Sequence, residues 1–190
     1  MRLIANGDHY REVVRRIAGA RESVWIATAN VKDMHVEIDG RFRSVTALFS
    51  RLAARGVEVR LLHAARPSRF FRASFSGGAE LRVCPRVHFK AVIVDGAWLY
   101  FGSANLTGAG LGAKGAGRRN FELGVATEEF DAIDRASALF GAVWSGAECA
   151  SCKVRRTCPS PLDGEAPRGR RAGRIEPPPF IRLGRARRLR

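Results

Sequence analysis

The sequence predicts an α/β domain, a sheet covered by helices, with a short appendage at its carboxyl end. Three observations carry this expectation. Strand-like and helix-like segments alternate along residues 1–148, the helix-like ones carry apolar residues at three- and four-residue spacing, and residues 88–107 read as two apolar runs joined by Asp95-Gly96. In order, Val13, Val14 and Ile17 mark a first helix, and the run at 23–28 (SVWIAT) reads as a strand. Val45, Leu48, Phe49 and Leu52 mark a second helix, which Gly56 is placed to close. A second strand follows at 57–62. A last helix over roughly 128–144 would bury Ile133, Ala136, Phe140, Val143 and Trp144.

The stretch at 88–107, HFKAVIVDGAWLYFGSANLT, holds the chemistry. With a two-residue turn at Asp95-Gly96, the expected register pairs Val94 with Ala97, so that His88 faces Ser103 and Lys90 faces Phe101. Strand side chains alternate between faces, which would put His88, Lys90, Ser103 and Asn105 on one face. An imidazole, a fixed cation, a hydroxyl and an amide converging on one spot suit a phosphate. Four polar groups on one apolar hairpin face are expensive to bury without such a task.

HxKxxxxD followed by GSxN resembles the signature of the phospholipase D superfamily. The order of elements is similar over about residues 1–145, and the specific motif covers 88–125. The resemblance implies a phospholipase D-like mixed sheet flanked by helices, and a phosphodiesterase that needs no catalytic metal. On that pattern His88 is the nucleophile that forms a phosphohistidine, Lys90 and Asn105 hold the non-bridging oxygens, and Ser103 positions the phosphate or the histidine. Asp95 completes the motif, but it occupies the turn and alternation points it away from His88, so a turn role is expected. Residues 120–125, NFELGV, resemble the superfamily strand whose glutamate hydrogen-bonds the nucleophilic histidine. Glu122 is therefore the candidate orienter, the alternative being a solvated acid at a strand end.

The superfamily mechanism uses two histidines. His9, His35 and His63 have no lysine two positions later, so the chain carries one motif. Single-motif members of the superfamily homodimerise, with the active site at the two-fold axis, and a homodimer is the expectation here. A heteromer with a separate partner is the alternative. His63 ends the second strand, where it either lines the cleft or serves as a satisfied structural histidine.

Between the motif and Glu122 runs GAGLGAKGAGRR (108–119). It is expected to form a mobile loop over the site, with Lys114, Arg118 and Arg119 reaching for substrate phosphates; a solvated linker is the alternative. The net charge is +15, of which 1–148 contributes +6 (21 basic against 15 acidic residues) and 149–190 contributes +9 (12 against 3). A basic surface on a phosphodiesterase favours a polyanion, nucleic acid first. The expected activity is thus that of an endonuclease acting on DNA or RNA. The alternatives are a hydrolase or transferase acting on phospholipids or other small phosphodiesters, and a non-catalytic nucleic-acid-binding subunit. No apolar run is long enough to span a bilayer, so stable membrane insertion is not expected.

The four cysteines are Cys84, Cys149, Cys152 and Cys158. Charged residues near the start, with no apolar segment behind them, argue against a secretory signal and for a cytoplasmic chain. In that setting the C-x2-C-x5-C spacing reads as metal binding before disulfides. With Cys84 it provides four soft ligands, enough for a structural [4Fe–4S] cluster or for tetrahedral zinc. The spacing resembles the iron–sulfur staple of RecB-like nucleases, which favours the cluster. For Cys84 a buried, unliganded thiol stays open. The expected organisation is a catalytic domain at 1–148, a cysteine segment at 149–160 and a Pro- and Arg-rich tail at 161–190. Its composition predicts disorder and salt-sensitive affinity for nucleic acid.

Overall fold

The computed structural model describes residues 1–164. Strand β2 (Ser23–Thr28) lies inside the sheet, and its composition follows from that position. Val24 and Ile26 enter one core while Trp25 and Ala27 enter another, so both faces must be apolar. Its neighbours are β5 (Glu58–His63), parallel to it, and β7 (Lys90–Val94), antiparallel. The remaining strands are β1 (Arg2–Ala5), β6 (Glu80–Val83), β8 (Trp98–Gly102) and β9 (Leu123–Thr127). They complete a seven-stranded mixed sheet of order β1-β9-β8-β7-β2-β5-β6. A separate hairpin, β3 (His35–Ile38) with β4 (Arg41–Ser44), leads into the second helix.

The larger core lies between one sheet face and the first two helices. The first helix begins as a π-helical turn at Tyr10–Val14 and continues as α1 (Arg15–Ala18), burying Val13, Val14 and Ile17. Helix α2 (Val45–Ala54) buries Val45, Leu48, Phe49 and Leu52. Ser44 caps it by accepting from the Thr46 N–H at 3.2 Å, and Gly56 at φ 83° lets the chain leave it, as the sequence predicts. A short α3 (Arg69–Ser74) adds Phe71 to this core.

Helix α4 (Phe130–Trp144) covers the opposite face across β7 and β8. Phe140 stacks between Trp25 and Trp144, with ring centroids 5.3 and 5.5 Å apart. The Arg60 and Arg82 guanidinium groups cover Trp144 at 5.4 and 4.8 Å from its centroid. Beyond α4 the chain turns back on itself. Leu162 packs into the Trp144–Phe140 cluster and Arg155 pairs with Asp163 at 2.9 Å, so the ordered fold continues past 160, where the sequence predicts disorder from 161. The rest of that tail, 165–190, lies outside the described residues. Among the described residues no helix is long and apolar enough to cross a membrane.

The hairpin register departs from expectation by one residue. Val94 pairs with Trp98 and Lys90 with Gly102, not Val94 with Ala97 and Lys90 with Phe101. Asp95 and Gly96 do adopt left-handed φ values of 53° and 59°, and the Ala97 N–H donates to the Val94 carbonyl at 3.0 Å. Ala97 is then an extra residue on the returning strand. The cause is burial on both faces. Trp98 and Tyr100 join the larger core while Leu99 joins the α4 side, and a run that is apolar on both faces cannot announce its register.

Candidate active site

The polar groups of the motif gather at one end of the sheet. There β2, β5 and β8 end, and β7 and β9 begin. Before β7, Val87 is buried and Phe89 half-buried against the α4 side, which leaves His88 exposed. Lys90 is half-buried, and its Nζ donates to the His88 carbonyl oxygen at 2.8 Å. The lysine therefore braces the turn that carries the histidine. Among the described residues the His88 imidazole has no hydrogen-bonding partner within the chain.

Lys90 faces Gly102, and Gly102 pairs in turn with Gly124. A Cβ on Gly102 would lie 2.6 Å from the Gly124 Cα, and one on Gly124 would lie 2.4 Å from the Tyr100 ring. The glycine of GSxN is thus a packing requirement: Tyr100 lies across this pair of glycines. Burial pushes the Tyr100 phenol up to about 12, so it stays protonated under ordinary conditions. His9, fully buried, meets its ring edge-on at 5.3 Å.

Ser103 and Asn105 leave the strand in different directions. The Ser103 hydroxyl donates to a Glu122 carboxylate oxygen and accepts the Leu123 N–H at 3.0 Å. Asn120 Nδ2 donates to the other Glu122 oxygen at 3.0 Å, and Asn6 Oδ1 accepts the Glu122 N–H at 3.1 Å. Glu122 is therefore held by Ser103 and Asn120, where the resemblance of 120–125 implies a contact with His88. Asn105 instead accepts through Oδ1 from the Asn30 N–H at 3.1 Å and the Thr28 hydroxyl at 3.2 Å. With its oxygen so engaged, the Asn105 amide has its N–H groups left for a ligand. In this arrangement His88 and Lys90 form one group, Ser103 with Glu122 a second, and Asn105 with Thr28 a third.

Asn105 opens onto a cleft of about 330 Å³ lined also by Asn30, Lys32, Lys114 and Asn120. Asp33 is the one acid on its walls and accepts from the Ser44 hydroxyl at 2.6 Å; the amides and the two lysines fit an anion with further hydrogen-bonding groups. Asn30 and Lys32 escaped the sequence reading; the available signal was a polar run directly after an apolar strand. Of the three basic residues expected to reach for substrate, Lys114 lines the cleft and Arg118 and Arg119 do not. Arg119 Nε turns back to the Lys114 carbonyl at 2.6 Å, and the guanidinium packs against Gly7. The loop is also less free than its glycines suggest. Leu111 is buried in the larger core, and Gly110 packs against the Asn105 backbone, where a Cβ would lie 2.6 Å from the carbonyl oxygen.

Asp95 lies at the far end of β7. Burial opposes its ionisation, but N–H groups of Ser23, Glu22 and Arg21 at 2.8–3.1 Å outweigh that and hold its carboxyl below the usual range. It ties the hairpin turn to the start of β2, five strand residues away from the end that carries His88 and Lys90. His63 sits at the end of β5 beside Thr28, 1% exposed, with Nδ1 2.8 Å from the Ala65 carbonyl. Burial lowers its pKa, and the Ala65 bond opposes this only in part. It is a structural histidine.

Comparison with known proteins agrees with this geometry. No curated protein sequence matches the chain. Solved structures with the same fold include NucT from Helicobacter pylori, 17% identical at a TM-score of 0.56, covering 74% of this chain and 92% of that one. A phospholipase D family member, Nuc from Salmonella typhimurium, is 19% identical at 0.57, covering 75% and 93%. The archaeal chromatin protein TrmBL2 is 14% identical at 0.51, covering 76% and 52%. The family described as "Cardiolipin synthase, PLD-like domain" matches residues 13–144, and with its HxK and GSxN residues at one end of the family's mixed sheet the chain belongs to the phospholipase D superfamily.

Proposed function

We propose that the protein is a hydrolase of nucleic-acid phosphodiester bonds, a metal-independent endonuclease working through a phosphohistidine. The observation that carries this reading is an exposed His88 with Lys90 bracing its turn, at the same sheet end as an amide- and lysine-lined cleft. A His88 imidazole nitrogen attacks phosphorus and the bond to the leaving oxygen breaks. Water then attacks the same phosphorus and frees the histidine. Lys90 and the Asn105 amide stabilise the charge that spreads over the non-bridging oxygens. Glu122 acts through Ser103, holding its hydroxyl near the phosphate. Lys114 and Lys32 meet neighbouring phosphates, and the basic surface adds affinity that falls with salt.

A single motif leaves the leaving oxygen without its proton donor. We infer a homodimer in which His88 of a second copy donates that proton at the two-fold axis. Leu3, Phe101, Phe121 and Leu123 support this: they are exposed apolar residues on or next to β1, β8 and β9, the strands that border the site. Nucleic acid as substrate is supported by the net charge of +15 and by a fold neighbour, TrmBL2, named as an archaeal chromatin protein with a mode of DNA binding. The matched family's description, a cardiolipin synthase, favours a second reading in which the phosphodiester belongs to a phospholipid.

The test is cleavage of DNA and RNA in EDTA by the wild type and by His88→Ala. Cleavage by the wild type alone, falling steeply with salt, is expected. Inactivity of a folded dimer on nucleic acid, with turnover of phospholipid vesicles, would establish the second reading.

A further inference from the structure

The fold brings all four cysteines of the chain to one small cavity. Cys84 lies in the turn between β6 and His88: its N–H donates to the His63 carbonyl and its own carbonyl accepts from Val87, both at 2.9 Å. The other three occupy consecutive tight turns after α4. Cys149 donates to Gly146 at 2.8 Å, Cys152 to Cys149 at 3.1 Å, and Cys158 to Arg155 at 3.4 Å. All four are free thiols and part-buried. The remaining walls are mainly Val143, Val154, Leu162 and Arg86.

This segment is irregular, yet it is folded back tightly. Gly146 at φ 80° sits so close to Leu162 and Asp163 that a Cβ there would lie 2.4 Å from the Asp163 nitrogen. A plain apolar filling role would account for Cys84, which packs beside Phe89 and Val87. It does not account for three further thiols on turns that also carry Lys153, Arg155 and Arg156. Arg86 and Glu148 line the same cavity, so polar as well as apolar walls surround the thiols.

We propose that Cys84, Cys149, Cys152 and Cys158 form a four-thiolate metal centre, an iron–sulfur cluster or a zinc ion, that fastens the 149–158 turns to the turn leading into His88. Among the described residues the thiols do not converge on one point at ligating distance. The turns therefore draw inward as the metal binds, and binding energy becomes folding energy of this segment. The metal is structural. His88 is exposed and lines no part of the four-cysteine cavity.

The experiment is elemental analysis, thiol counting and visible absorption on the full-length wild type purified without oxygen or chelator. It is repeated after reconstitution with Zn²⁺ or with iron and sulfide. About one zinc per chain, or about four iron with acid-labile sulfide and visible charge-transfer absorption, is expected, and these two results separate the two centres. Cys152→Ser and Cys158→Ser should each lower bound metal at least about tenfold and lower Tm, whereas His88→Ala retains it. Wild type that stays metal-free after both reconstitutions, or whose four thiols prove to be paired as disulfides, overturns the proposal. The wild-type measurements decide this even where a serine variant does not fold.

Discussion

The two ends of the β7–β8 hairpin are built from one sequence motif and do opposite things. At the open end, His88 is exposed, Lys90 braces its carbonyl, and Ser103 and Asn105 diverge, one to Glu122 just before β9 and the other to Asn30 just after β2. At the closed end, Asp95 spends its carboxylate on N–H groups of Arg21, Glu22 and Ser23. The strand between them spans Lys90–Val94. At about 3.4 Å per residue that is a separation of roughly 17 Å, too far for a side chain to bridge. A motif written in one line is thus divided by geometry into an anchoring end and an open end, the one to which the proposed chemistry is assigned.

The sharpest way to break this division is at the open end. His88→Ala should lower turnover by on the order of 10⁴-fold or more while leaving Tm within a degree or two, because the residue is exposed. A large loss of Tm would show that the open end is also structural. Asn105→Ala should come next, lowering kcat about 10²–10³-fold through loss of one donor to the phosphoryl oxygens. Burst and steady-state kinetics would separate that from a binding effect. Asp95→Ala should do the reverse. Chemical denaturation should show a loss of about 1 kcal/mol, as for other carboxylates that accept backbone N–H bonds, and the folded variant should keep its kcat. A fall in kcat without a fall in stability would reunite the two ends.

The smallest effect concerns His63, which lies near the open end yet inside the protein. Its folded pKa is lowered from 6.5, so the unfolded chain binds more protons between the folded value and 6.5. Its contribution to stability is full above pH 6.5 and is lost as the pH falls through that window. Thermal melts of wild type against His63→Gln should therefore diverge in slope below pH 6.5 and run parallel above it.

Much of this division was legible beforehand. The elements that bury a stripe or a full face, β2, β5, α2 and α4, announce themselves by apolar spacing. The short β1 and the β3–β4 hairpin do not, since their four-residue strands leave no periodicity to read, and Phe42 even faces outward. The motif residues are legible as a pattern but not as contacts. Ser103 and Asn105 part company because β8 ends at Gly102, and that end is set by the close approach of Gly124, a tertiary fact. The loop at 108–119 is more constrained than its composition implies for a related reason: the glycines hide the single leucine, Leu111, that pins it.

The Trp25–Phe140–Trp144 stack has an optical consequence. Two of the three tryptophans in the chain belong to it, and Trp144 ends the helix from which the cysteine turns depart. Intrinsic fluorescence should therefore report the docking of those turns without any added label. A coloured iron centre beside the stack would quench the emission by energy transfer, and a colourless zinc ion would leave it bright.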